Sequence, residues 1–187
     1  MKFVASIVLD PGTCIVLAVD LQEGLIPSID GAQRVVRRSE YLVRCATAIG
    51  IPSLLTTQNA DKLGPLSPQM KATGAPTLDK RTFSCWHNKE IREFLLQSAA
   101  KQVVLCGAET HICVSLTALD LLANGFAVAV CPDAVGSSDM ERHKLGMERM
   151  RDAGIVPIHS EAVAYEWLRT SEHLRFRDIL ALTKSLR

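Results

Sequence analysis

Hydrophobic positions fall into two regimes along the chain. At 14–19, 102–106 and 126–131 they form short runs that are apolar almost throughout. Between these runs lie longer stretches in which apolar positions return every three or four residues. The first regime predicts strands buried on both faces, the second amphipathic helices. The turn signal Asp10-Pro11-Gly12 precedes the first run. Positions 32–49 put Val35, Leu42, Val43 and Ala46 on one helical face, and Gly50 closes the helix. A second strand is predicted at 52–57, then a loop rich in Gly and Pro at 58–76, then an extended or irregular strand at 77–83. Further along come a helix at 88–99, a strand at 102–106 ending at Gly107, and a helix at 111–124 whose apolar positions include Val114, Leu116, Leu119 and Leu122. A strand at 126–131, a helix at 138–152, a short strand at 154–158 and helices at 161–168 and 174–184 complete the order.

Strand–helix alternation with Gly at helix ends predicts a three-layer α/β/α sandwich around a mostly parallel, doubly wound, Rossmann-like sheet. The 187 residues show no internal repeat, low-complexity tract or linker. One domain, 1–187, is the expectation. In such sheets the ligand crevice lies beyond the carboxyl ends of the strands. Three places are singled out: directly after Val19, around Lys80, and after Cys106.

Composition narrows the function classes. The formal net charge is +1, from 21 Lys+Arg against 20 Asp+Glu. No basic stripe is visible, so neither nucleic acid nor an anionic membrane is an expected partner. Six cysteines, at 14, 45, 85, 106, 113 and 131, contain no CxxC pair and sit largely in apolar runs. They read as buried thiols of a reducing compartment. No signal or transit features mark the first ten residues, and no apolar run approaches a membrane span. A soluble cytoplasmic protein is expected; a mitochondrial association stays open, without a visible transit peptide.

Each singled-out place carries a reactive group. Asp20, directly after a buried strand, can accept a proton at a crevice mouth, or simply cap a turn. Lys80, in Asp79-Lys80-Arg81, can lower a thiol pKa and hold a developing oxyanion, or be a solvated surface charge. Cys113 lies one turn into the helix that follows a strand. A helix N-terminus favours thiolate and offers free N–H groups; the alternative is a structural thiol.

Together, Asp20-Leu21-Gln22, then Asp79-Lys80 with Phe83-Ser84, then Gly107-Ala108-Glu109-Thr110 leading to Cys113-Val114 resemble the isochorismatase-like cysteine hydrolases. That group includes nicotinamidases and N-carbamoylsarcosine amidases. The likeness runs from about 13 to 183. Thr57-Gln58, Leu63-Gly64-Pro65 and Leu105-Cys106-Gly107 look most like its short branch, some members of which have carried a mitochondrial-associated ribonuclease label. The resemblance implies an isochorismatase-like hydrolase domain with Asp20 as general base, Lys80 as electrostatic partner and Cys113 as nucleophile. It implies a non-proline cis peptide between Ala108 and Glu109, with the Glu109 and Cys113 amides as oxyanion hole. It further implies a thioester route for a small amide or carbamoyl substrate, and a homo-oligomer, dimer or tetramer.

One departure matters. Nicotinamidases hold a metal with an Asp and two His after the second strand, where this chain reads Gln58-Asn59-Ala60-Asp61-Lys62-Leu63. No metal and no cofactor are therefore expected. Gln22 and Gln58 are candidates to orient substrate, Phe83 and Trp86 to form an apolar pocket wall, and His111 to line the site. Core packing competes for Trp86, helix capping or exposure for His111. Two other functions compete: a catalytically idle oligomeric binding protein, and a ribonuclease.

Overall fold

The computed structural model describes residues 8–186. Its centre is a six-stranded sheet, all parallel, in the order β3-β2-β1-β4-β5-β6. The strands are β1 (Cys14–Val19), β2 (Ser53–Gln58), β3 (Thr77–Lys80), β4 (Gln102–Ala108), β5 (Ala127–Gly136) and β6 (Val156–Pro157). The helices are α1 (Ala32–Ile49), α2 (Ala60–Leu63), α3 (Pro68–Lys71), α4 (Lys89–Gln97), α5 (Ser115–Ala123), α6 (Met140–Ala153), α7 (Ser160–Leu168) and α8 (Phe176–Ser185). This is the expected α/β class with a doubly wound sheet.

Side-chain alternation divides the apolar strands between two cores. Cys14, Val16 and Ala18 of β1 join Val104 and Cys106 of β4 on one face, under α1, α7 and α8. Ile15, Leu17 and Val19 join Val103 and Leu105 on the other, under α4, α5 and α6. A run with no polar alternation is what two covered faces require.

Strand order reverses between β1 and β4, where such folds open a crevice. Backbones approach closely there: Gly107 pairs with Val19, has φ +114°, and an added Cβ would lie 2.1 Å from the Val19 carbonyl oxygen. Only glycine fits.

The structure corrects several boundaries. The 58–76 loop contains α2 and α3, the latter capped by Ser67, whose hydroxyl accepts from the Met70 N–H. The strand expected over 77–83 stops at Lys80. β5 continues to Gly136 after a register shift opposite Leu105 and Gly107. The helix expected at 111–124 begins as a wide π turn, Thr110–Val114, and becomes α-helical only at Ser115. Gly146 of α6 lets that helix press on the turn: a Cβ there would sit 2.8 Å from the His111 Cα.

Candidate active site

Asp20 is the first residue beyond β1 and takes a left-handed conformation, φ 54°. A non-glycine residue held there costs about 1–3 kcal/mol and is often found at functional sites. Its N–H donates to the Thr56 carbonyl at 3.2 Å, which fixes the turn. Its carboxylate is fully buried. Oδ1 accepts the Thr56 hydroxyl at 2.7 Å, and Oδ2 accepts the Lys80 ammonium at 2.6 Å.

Lys80 ends β3, in register with Gln58 at the end of β2. Its ammonium donates a second bond, 2.7 Å, to Gln58 Oε1. Burial pulls the Lys80 pKa down, but the Asp20 charge and the Cys85 and Cys113 thiols outweigh it, and the net direction is upward. An ammonium paired with a carboxylate stays charged in a dry site because each partner replaces the other's lost water.

Cys113 lies in the π turn after β4. The turn closes through the Val114 N–H on the Glu109 carbonyl at 3.2 Å. The thiol lines the same cavity as Asp20. Burial above all, then the Asp20 charge, push the thiol up to about 12, with Lys80 opposing. Burial and the neighbouring anion thus oppose the help of the turn's N–H groups and favour the protonated sulfur.

Thus Asp20, Lys80 and Cys113 meet. They lie against a cavity of about 130 Å³ lined by Asp20, Gln58, Glu109 and Cys113, with Leu25, Leu63, Phe83 and Ile112 as its apolar wall. The Ala108–Glu109 peptide is cis. Among the described residues the Glu109 N–H has no protein acceptor. No group of three or more His, Cys, Asp or Glu among them is arranged to hold a metal ion. A larger groove, about 540 Å³ beside α1 and α3, carries no thiol or ammonium.

The other candidates divide. Gln58 and Phe83 line the cavity. Gln22 does not: it is fully buried, its Oε1 accepts the Gln58 N–H at 2.7 Å, and its Nε2 donates to the Gln58 and Gly64 carbonyls. With its amide consumed by backbone, it holds Gln58 in place instead of meeting a ligand. Trp86 packs edge-on against Phe126, centroids 5.9 Å apart, under the Arg92 guanidinium. His111 is also outside the cavity lining, its Nδ1 3.0 Å from the Ser137 hydroxyl. Thr56 was missed from sequence. Its signal was strand alternation, which puts it on the same face as Gln58.

Fold and crevice together define a doubly wound α/β domain that gathers a thiol, a carboxylate and an ammonium at its strand ends. The isochorismatase domain model matches residues 14–162. The chain belongs to the isochorismatase family. It is 33% identical over 174 residues to isochorismatase domain-containing protein 2A of Mus musculus, covering 93% of this chain and 84% of that one. It is 31% identical over 177 residues to isochorismatase domain-containing protein 1 of Danio rerio, 94% of this chain but 62% of that protein's length. Among solved structures it resembles the MAR1 ribonuclease of Caenorhabditis elegans, with TM-score 0.88, 29% identity and coverage of 93% and 91%. The YcaC gene product of Escherichia coli, described as an octameric hydrolase of unknown specificity, superposes with TM-score 0.83, 26% identity and coverage of 96% and 97%.

Proposed function

We propose that this isochorismatase-like hydrolase cleaves a C–N bond of a small amide or carbamoyl compound through a thioester on Cys113, with neither metal nor cofactor. The observation that carries this reading is the shared crevice: Asp20 bonds Lys80 through Oδ2 at 2.6 Å, and Asp20 and Cys113 line one cavity.

The chemistry follows from charge conservation. Asp20 takes the Cys113 proton as the sulfur attacks the carbonyl carbon. The three groups and the substrate together carry the same total charge before and after, so the dry site is never asked to hold an extra one. Lys80 then faces the charge that has moved to sulfur and oxygen. The Glu109 and Cys113 N–H groups hold the tetrahedral oxyanion. Its collapse breaks the C–N bond, and Asp20 returns the proton to the departing amine. Water, giving a proton to Asp20, attacks the thioester, releasing the acid and restoring the thiol. Gln58 fixes the ammonium, and Thr56 fixes the carboxylate.

The ribonuclease name of the C. elegans relative is a competing reading. The near-zero net charge and, among the described residues, a cavity lining without Lys, Arg or His weigh against phosphate recognition. RNA cleavage by purified protein that survives Cys113→Ala would favour it. The octamer reported for YcaC supports a homo-oligomeric state here. An idle binding protein would tolerate loss of the thiol. Turnover of one member of a panel of small amides, abolished by Cys113→Ala with the fold retained, is expected. Turnover undiminished by Cys113→Ala would refute the proposal.

A further inference from the structure

Leu63 and Phe83 are large apolar side chains that take part in neither hydrophobic core. Phe83 is 58% exposed. Both line the cavity at Cys113, together with Leu25 and Ile112. The backbone brings two of these segments together. The Glu23 N–H donates to the Pro65 carbonyl and the Gly24 N–H to the Leu63 carbonyl, each at 2.9 Å. A Cβ at Gly24 would lie 2.5 Å from that Leu63 oxygen, so only glycine admits the contact. The segment after β1 is thereby laced to the end of α2, and Leu25 and Leu63 reach one cavity. Apolar side chains that the cores do not use, gathered round the Cys113 thiol, call for an apolar occupant.

The polar side chains of the lining are engaged elsewhere. Asp20 accepts from Thr56 and Lys80. Gln58 Oε1 accepts from Lys80 at 2.7 Å, and its Nε2 donates to the Arg81 carbonyl at 3.2 Å. The Glu109 carboxylate accepts the Ser138 N–H at 2.9 Å, and Ser138 is not part of the lining. A ligand is left with the thiol, the backbone N–H groups assigned to the oxyanion, and an apolar wall. A hydroxyl buried against such a wall without a partner weakens binding about ten-fold or more. The volume sets a size. About 130 Å³ is slightly less than the roughly 150 Å³ of a cavity lined by Leu, Ile and Phe that takes benzene.

We infer that Leu25, Leu63, Phe83 and Ile112 form an acyl subsite, and that the substrate is an aliphatic amide of about six non-hydrogen atoms whose acyl chain bears no polar group. That such a molecule is hydrolysed rests on the hydrolase reading; the apolar preference belongs to the cavity alone. Each methylene moved from water to this wall should strengthen binding about four-fold until the cavity is full. Butyramide is of the size that fills it. Phe83 is the determinant most safely changed, because its exposed ring belongs to neither core.

Binding to Cys113→Ala protein, followed by protein-observed NMR, reads recognition without chemistry. Affinity should rise about ten-fold from acetamide to butyramide, and no more than about two-fold further to hexanamide. β-Hydroxypropionamide, in which a hydroxyl replaces the terminal methyl of butyramide, should bind about ten-fold more weakly than butyramide, or worse. Phe83→Ala in the same background should cut the rise from acetamide to butyramide to about two-fold, with an unchanged urea midpoint, whereas Phe83→Leu should keep most of it. A flat series, a rise that continues to hexanamide, equal or tighter binding of the hydroxyl compound, a series indifferent to Phe83→Ala, or no binding of any amide would overturn the inference. The expected preferences without turnover of any amide by unaltered protein would leave this inference standing and remove the hydrolase reading. Turnover that favours the hydroxyl compound would do the reverse.

Discussion

At the residue scale the site turns on which group holds one proton. The Cys113 thiol, ordinarily near 9.0, is pushed to about 12 by burial and by Asp20, against the pull of Lys80. Substitutions should move it in opposite directions. Asp20→Asn removes the neighbouring anion and leaves the ammonium, so the thiol pKa should fall and alkylation near neutral pH should quicken. Turnover should nonetheless vanish, because an amide cannot take the proton. Faster labelling with lost catalysis, measured by iodoacetamide rates against pH, is the expected signature; slower labelling would contradict the assigned proton path. Lys80→Met should move the alkylation profile to higher pH. It also strands a fully buried carboxylate, at a cost of about 3–5 kcal/mol, readable in urea unfolding. Asp20, Lys80 and Cys113 were legible because each follows or ends a strand at the expected crevice. Gln22 and Trp86 misled for physical reasons. A glutamine beside an acid at a strand end looks like a ligand-orienting group, but its amide is spent on Gln58 and Gly64 backbone. Trp86, offered as a pocket wall, instead found a partner, Phe126, some 40 positions away in sequence, which no local pattern reveals.

At the scale of elements, most strands and long helices could be read because periodicity reports burial directly. Runs such as 14–19 have no polar face to hide, and 32–49 has one apolar stripe. What stayed hidden depends on tertiary contact. The π turn carrying Cys113 has ordinary helical spacing in sequence, and α6 approaches it closely at Gly146. The short helices α2 and α3 fall within a stretch whose Gly and Pro content reads as loop. Gly146→Ala should force α6 away from the turn, costing about 1–3 kcal/mol as an overpacking change. If the turn aims the thiol, kcat should fall further than stability alone explains. A circular-dichroism melt paired with the alkylation rate of Cys113 distinguishes the two. A variant with unaltered labelling and melting would show that the close approach at Gly146 is not needed.

At the scale of the whole molecule, the thiols set a pH limit. All six cysteines are free and buried. Burial raises Cys14 and Cys85 to about 11, and Cys45, Cys106 and Cys113 to about 12, from an ordinary 9.0. Between those values the unfolded chain releases protons that the folded chain keeps. The unfolded state then binds fewer protons, so stability falls as pH rises. The stability these groups contribute is complete below pH 9.0 and is lost progressively toward 11–12. Urea midpoints should drop steeply above pH 9, and a flat profile to pH 11 would contradict the burial of these groups. The same sheet that hides the thiols brings the ends of β1, β3 and β4 together. The fold thereby assembles chemistry from residues 60 and 33 positions apart along the chain.

The proposed thioester route requires that the Cys113 sulfur become covalently acylated. Intact-protein mass spectrometry after rapid quenching, with a panel of small uncharged amides and their activated esters, reads it directly. An acyl mass that maps to the Cys113 peptide, decays on further incubation and is lost in Cys113→Ala is the expected result. An acyl mass on another residue, or hydrolysis that continues in Cys113→Ala, would contradict the account.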